Sequence, residues 1–257
     1  MRWEDVKIGL AGSARDLLFE SPRLDVKGNV SFSHWQLGPL PLKNAKAVVH
    51  IRQGTVYVND FNATFSDGTI SLYGFLRPEP APHMPWKVHA KARDVVLVES
   101  LGQSLSLVVP ILRVGSDAKS RLNGMIDMDF ILEADGTSDA QLMKTMKGEA
   151  TVMLKDVSVQ GSTVLPLLGL RFDKLLTRKP YRFKDATVPV TIDRGTLTTK
   201  RFKLDGSPFN LTIWGSARLD GQVDFVVAPS LLFPMRVRGD LTDPSVRLDL
   251  GARFEKD

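Results

Sequence analysis

The sequence predicts a mainly β protein: antiparallel meander repeats forming a curved sheet, able to stay open as a groove, with two or more short helices. Three observations predict it. Apolar and polar residues alternate with period two along most of the chain, turn-forming pairs separate the alternating runs, and one strand-turn-strand unit recurs. The hydrophobic fraction of 43 % and charged fraction of 25 % are those of an ordinary globular chain, and 257 residues suffice for a sizeable core.

The alternation is clearest in four runs. Ala45, Ala47, Val49 and Ile51 stand against Lys46 and His50, and Val88, Ala90 and Ala92 against Lys87, His89, Lys91 and Arg93. Ile126, Met128, Phe130 and Leu132 stand against Asp127, Asp129 and Glu133, and Leu211, Ile213, Gly215, Ala217 and Leu219 against Thr212, Trp214, Ser216 and Arg218. Each run reads as a strand with one wet face, as in antiparallel sheets. Asp67-Gly68 and Asp220-Gly221 suit the positive-φ positions of tight hairpins, with Gln53-Gly54, Arg194-Gly195 and Asp205-Gly206 as further turns. The prolines at 78, 80, 82 and 85 make an extended connection.

Two segments break the period. Thr137 or Ser138 caps a short helix through Leu142 and Met146 to Gly148, and Ser162 caps another holding Leu165, Leu168, Phe172, Leu175 and Leu176. The stretch from about Ser100 to Ser120 is the best candidate for a boundary. It separates a first β-repeat unit, 1–115, from a second, 116–257.

The repeat aligns 40–76 on 181–217 without a gap, at the 141-residue offset set by Gly54 and Gly195. The same shift pairs Lys43 with Lys184, Ala45 with Ala186, Ile51 with Ile192, Phe61 with Phe202, Ser66 with Ser207 and Gly74 with Gly215. A single such unit cannot bury its apolar face, whereas units laid edge to edge extend one sheet and one greasy surface.

Composition excludes several chemistries. Without cysteine there is no disulfide framework, thiol nucleophile or thiolate metal ligand. The net charge of +5 is small against 34 basic residues and serves solubility. Met1 to Val6 is not a secretory signal, and no window of eighteen uninterrupted apolar residues occurs, so the chain taken literally reads as soluble and cytoplasmic. An excised piece of a longer protein looks the same.

The C-terminal half carries a more specific pattern. Asp193-Arg194-Gly195-Thr196-Leu197 leads through Ile213-Trp214-Gly215-Ser216-Ala217 to Leu219-Asp220-Gly221-Gln222-Val223-Asp224, and Phe233 to Pro244 closes with Gly239-Asp240-Leu241-Thr242-Asp243-Pro244. This run resembles the C-terminal region of the AsmA-like family, and the resemblance extends over roughly 26–250. It implies a Gram-negative cell-envelope protein, held by an N-terminal inner-membrane anchor that this chain lacks and projecting a repeating β-groove into the periplasm. It also implies a role in phospholipid transport and outer-membrane integrity, without catalysis or cofactor, with envelope proteins as partners.

On that reading lipid acyl chains lie along the apolar strand faces. The candidate lining is Ala45, Ala47, Val49, Ile51, Ile70, Leu72, Ile126, Met128, Phe130, Val188, Val190, Ile192, Leu211 and Ile213. The competing reading is that these residues face a second sheet or the helices as an ordinary core. A basic cluster, Arg171, Lys174, Arg178 and Lys179, continued by Arg182 and Lys184, follows the second helix and suits anionic head groups.

Other chemistries lack their patterns. His34, His50, His83 and His89 have no metal-ligand spacing, Asp127, Asp129 and Glu133 read as a wet strand face, and no phosphate loop or nucleophile motif accompanies them. The aromatic residues are dispersed, so no nucleic-acid platform forms. The expectation is a non-enzymatic lipid module with no metal; the alternative is an assembly scaffold whose sheet edges take up a partner strand.

Overall fold

A computed structural model describes residues 25–37, 40–79, 83–112, 121–160, 180–207, 209–230, 233–249 and 251. Among these, fifteen strands form one open antiparallel sheet. They are β1 (Asp25–Leu37), β2 (Leu40–Arg52), β3 (Thr55–Phe65), β4 (Gly68–Leu76), β5 (Pro85–Val96), β6 (Arg121–Asp135), β7 (Lys147–Gln160) and β8 (Tyr181–Phe183), followed by β9 (Ala186–Asp193), β10 (Thr196–Leu204), β11 (Gly206–Ser207), β12 (Leu211–Arg218), β13 (Gln222–Pro229), β14 (Met235–Asp240) and β15 (Asp243–Leu248). The order is sequential throughout, with the short β8 and β11 paired beside the main path. β5 pairs directly with β6, so the sheet runs without a break from the first expected unit into the second.

The two repeat copies fold alike. Leu40 to Leu76 makes β2, β3 and β4, and Tyr181 to Ala217 makes β8 to β12. The turns place Gln53 and Gly54 at φ 49° and 72°, and Arg194 and Gly195 at 47° and 71°. The ladder slips at equivalent pairs, between Val58 and Phe61 in one copy and between Thr199 and Phe202 in the other. The β3–β4 turn differs from expectation: Ser66 and Asp67 take the positive φ angles, 45° and 64°, and Gly68 already belongs to β4. Gly68 is required for space instead, because a Cβ there would lie 2.5 Å from the Arg93 carbonyl.

The curvature has a local cause. Asn44, Asp94 and Asp156 adopt positive φ of 51°, 52° and 47°, Gly124 sits at 129°, and the ladders slip beside them on β2, β5 and β6. Extra residues of this kind bend a strand and increase its twist, and Asn and Asp tolerate the left-handed region better than most. The equivalent point between β8 and β9 is the break at Lys184-Asp185.

Helix α1 (Glu99–Leu105) and the 3₁₀ turn Pro110–Leu112 pack onto the apolar face of the sheet. The N-cap Val98 offers no side-chain bond to α1, so the helix owes its stability to burial: Leu101, Leu105, Val108, Val109, Ile111 and Leu112 are all buried. The described part of the stretch expected as a boundary, 101–112, therefore forms a plug of the core. Helix α2 (Asp139–Thr145) starts where expected, with Ser138 and Gln141 in a reciprocal capping box, but ends before the expected Gly148, because Lys147 and Gly148 already pair with β6 as the start of β7. The helix expected from Ser162 lies outside the described residues.

Candidate functional site

The cross-strand register assembles the apolar strand faces into rows that cross the whole sheet. One row runs Gly28, Val49, Val58, Gly74, Val88, Leu132, Gly148, Ile192, Leu197, Ala217, Val223, Gly239 and Pro244, each paired with the next. A parallel row, one step nearer the plug, includes Ala47, Phe61, Leu72, Ala90, Phe130, Ala150, Val190 and Thr199. Its only polar member is Thr199, which is buried, with its hydroxyl 3.5 Å from the Val108 carbonyl of the plug.

Exposure divides this face. From β2 to β10 the outer row is half-buried: Val49, Val58, Val88, Leu132, Ile192 and Leu197 all keep contact with solvent, as do Ile51, Val56, Leu76 and Trp86 beyond them. Gly74 and Gly148 leave this row without side chains at two points, and a Cβ at either would come within 2.2 Å of a neighbouring strand's carbonyl. With strands about 4.8 Å apart, the half-open row spans about 34 Å. Towards the C-terminus the same row closes, Ala217 and Val223 being buried beside Phe225, Val227, Val237 and Leu241.

All fourteen lining candidates lie on this one face. Ala47, Val49, Ile51, Ile70, Leu72, Met128, Phe130 and Ile192 are half-buried, while Ala45, Ile126, Val188, Val190, Leu211 and Ile213 are sealed. The lining predicted from sequence left out Val58, Val88, Leu132 and Leu197, which complete the row, although each sits at the apolar phase of its strand. Arg171, Lys174, Arg178 and Lys179 lie outside the described residues.

The opposite face is wet and densely paired. His89 Nε2 lies 2.6 Å from Asp129 Oδ1 and its Nδ1 bonds the Tyr73 hydroxyl, while Lys91 reaches the other Asp129 oxygen at 3.2 Å. Burial pushes the Asp129 carboxyl up, but the bonds from His89 and Lys91 outweigh it and leave it below the ordinary carboxylate range. Asp127 behaves likewise: burial opposes ionisation, and Lys155 at 2.7 Å, the Asp94 N–H at 2.8 Å and Arg93 at 3.7 Å prevail. Glu133 pairs with Lys87, and Asp224 is held down by Arg236 and Arg238. These carboxylates are neutralised by cations, and no group of three or more metal-ligating side chains occurs among the described residues.

Tyr181 is fully buried between Phe183 and Phe209 and donates to the Phe209 carbonyl at 2.8 Å; loss of solvent pushes its phenol well up, so it stays a neutral structural donor. A hollow of about 280 Å³ on the wet face is lined by Tyr57, Tyr73, Phe75, Lys87 and His89, whose cross-strand contacts stabilise the sheet. No helix among the described residues is long and apolar enough to cross a membrane.

No family model matches this chain, and neither the curated proteins nor the solved structures include a match.

Proposed function

We propose that this chain is a non-enzymatic lipid-binding and lipid-transporting section of an AsmA-like envelope protein, acting in the periplasm and tied to the inner membrane by an anchor outside this sequence. One observation carries the reading: an apolar row about 34 Å long stays half-open across eight strands of a sheet whose other side is wet. A bilayer's hydrocarbon core is about 30 Å thick, so the row is long enough to hold acyl chains end to end.

The chemistry is non-directional. Each methylene laid against the row contributes about 0.8 kcal/mol, and because no single side chain dominates, the chain can slide along it. The plug side of the face is filled by α1 and the 3₁₀ turn, so the tails lie along the hairpin side, between the row at Val49–Leu197 and the strand ends at Ile51, Leu76 and Trp86. The polar head stays in water, and the cluster Arg171, Lys174, Arg178 and Lys179 is the proposed contact for an anionic one.

Native mass spectrometry of the purified protein, with lipid extraction from the same sample, tests this. Bound phospholipid, lost in a Val88→Asp and Leu132→Asp double variant that still folds, supports the reading. A clean apo mass together with no binding of a fluorescent fatty acid overturns it.

A further inference from the structure

The wet face carries a tyrosine, a histidine and an aspartate in the same register twice. Tyr73 on β4 stands directly opposite His89 on β5, with Asp129 diagonal to the histidine on β6. Tyr57 on β3 stands opposite His50 on β2, with Asp25 diagonal to it on β1. In both trios the imidazole Nε2 meets the carboxylate, at 2.6 Å from Asp129 and 2.5 Å from Asp25. Only in the first does the phenol join. The Tyr73 hydroxyl bonds His89 Nδ1, whereas Tyr57 lies beside His50 with ring centroids 6.3 Å apart and makes no hydroxyl bond among the described residues.

Protons in the first trio have fixed places. Against the cost of burial, the bonds from His89 and Lys91 hold the Asp129 carboxyl below the ordinary carboxylate range, so it is an ionised acceptor. It sets the proton of neutral His89 on Nε2 and leaves Nδ1 to accept from the phenol. An oxygen nucleophile, a base within hydrogen-bond reach and a group that orients the base are thereby assembled. Tyr73 is also reachable, being 55 % exposed, and with Phe75, Lys87 and Ile131 it lines the hollow of about 280 Å³.

The geometry points to Tyr73 as an acyl-accepting site, its phenol taking the acyl group of an activated ester or imidazolide, with His89 as general base and Asp129 positioning His89. The Tyr73 oxygen attacks the carbonyl carbon as the phenol proton passes to His89 Nδ1. The bond from that carbon to the leaving group then breaks, and His89 hands the proton to the leaving group, so the products are a tyrosyl ester and a free alcohol or imidazole. Phe75 and Ile131 give the acyl group an apolar wall. Lys87 in the same lining is already paired with Glu133 at 3.5 Å, too little free charge for a phosphoryl donor, whereas a neutral carbonyl fits. The site lies on the face opposite the apolar row and does not rest on the lipid reading.

The sequence holds three tyrosines and no cysteine, so each environment reports separately. The protein is treated near neutral pH with N-acetylimidazole, a small activated acyl donor, and O-acetylation is followed at each tyrosine by peptide mass spectrometry. Tyr73 is expected to react at least about tenfold faster than Tyr57. Tyr181, sealed in the core, stays unmodified and reports that each variant is folded. Because Tyr73 is also the more exposed of the two reactive tyrosines, His89→Gln separates base assistance from exposure. It keeps an N–H for Asp129 but no basic nitrogen, and is expected to lower Tyr73 to the rate of Tyr57. Asp129→Asn is expected to slow Tyr73 and Asp129→Glu to restore part of the rate, which a loss of packing would not produce. A Tyr73 rate no higher than that of Tyr57, or one that His89→Gln leaves unchanged, overturns the proposal.

Discussion

The half-open row of β2 to β10 and the sealed strands β12 to β14 are written in the same alternating pattern, yet they serve different ends. Val88 and Leu132 face the same side of the sheet as Phe225 and Val237, but the first pair keeps contact with solvent and the second is fully buried. Alternation therefore selects a face and does not cover it. What distinguishes the regions is what packs against them within the one core cluster, which includes α1, the 3₁₀ turn and the buried residues of β12 to β14.

If that division is right, a sealed position answers a mutation in stability and an open one answers in binding. The largest effect is expected at Phe225: Phe225→Ala leaves a cavity in a closed core and costs about 3–5 kcal/mol, read from urea unfolding. Equal losses of stability at Phe225 and at Val88 would erase the distinction.

Next comes the bend beneath the plug. Asp127 is one of the few buried charged residues, and its carboxylate bonds the Asp94 N–H at the strand irregularity as well as Lys155. Asp127→Asn leaves Lys155 without its closer partner and weakens the bond to the Asp94 N–H, at a cost smaller than that of Phe225→Ala. Thermal unfolding beside Asp94→Asn, whose side chain is more exposed, checks whether the loss belongs to the bend.

A smaller stability effect is expected on the open row. Val88→Ser removes half-exposed apolar area and costs about 1 kcal/mol, while fluorescent fatty-acid binding falls more than it does in Phe225→Ala protein that is still folded. The reverse ranking of binding would place the ligand elsewhere.

The smallest effect separates the wet face from both. Asp224 is held below its unfolded value of 3.8 by Arg236 first and by Arg238. Its contribution is complete above that value and disappears as pH falls through the lower folded one. An Asp224→Asn variant therefore loses stability relative to wild type near neutrality, and the gap narrows as acid protonates the wild-type carboxyl. A gap that stays constant down to the acid transition would remove the ion pair from the account.

Much of this was legible in the residues. The period-two alternation put every lining candidate on one face, and Thr137 or Ser138 marked the start of α2, which Ser138 caps. The shared phase of the copies anticipated that 40–76 and 181–217 would fold alike, while the ladder slips at Val58/Phe61 and Thr199/Phe202 came only with the structure. Other features were not legible. Helix α1 has no side-chain cap at Val98 and the residues from 100 to 120 read as a boundary, because the structure of the described part comes from packing against the sheet and not from local propensity. Asn44, Asp94 and Asp156 look like ordinary wet-face residues, since a strand irregularity depends on the register of two strands at once.

The sequence by itself determined the period, the antiparallel order and which side chains share a face, because these follow from the two-residue repeat of an extended backbone and the chemistry of short turns. Which stretch of that face remains half-open and which is sealed were decided only in the tertiary structure. Burial is a property of what packs against a residue from elsewhere in the chain, and the residue's own neighbours in sequence do not encode it.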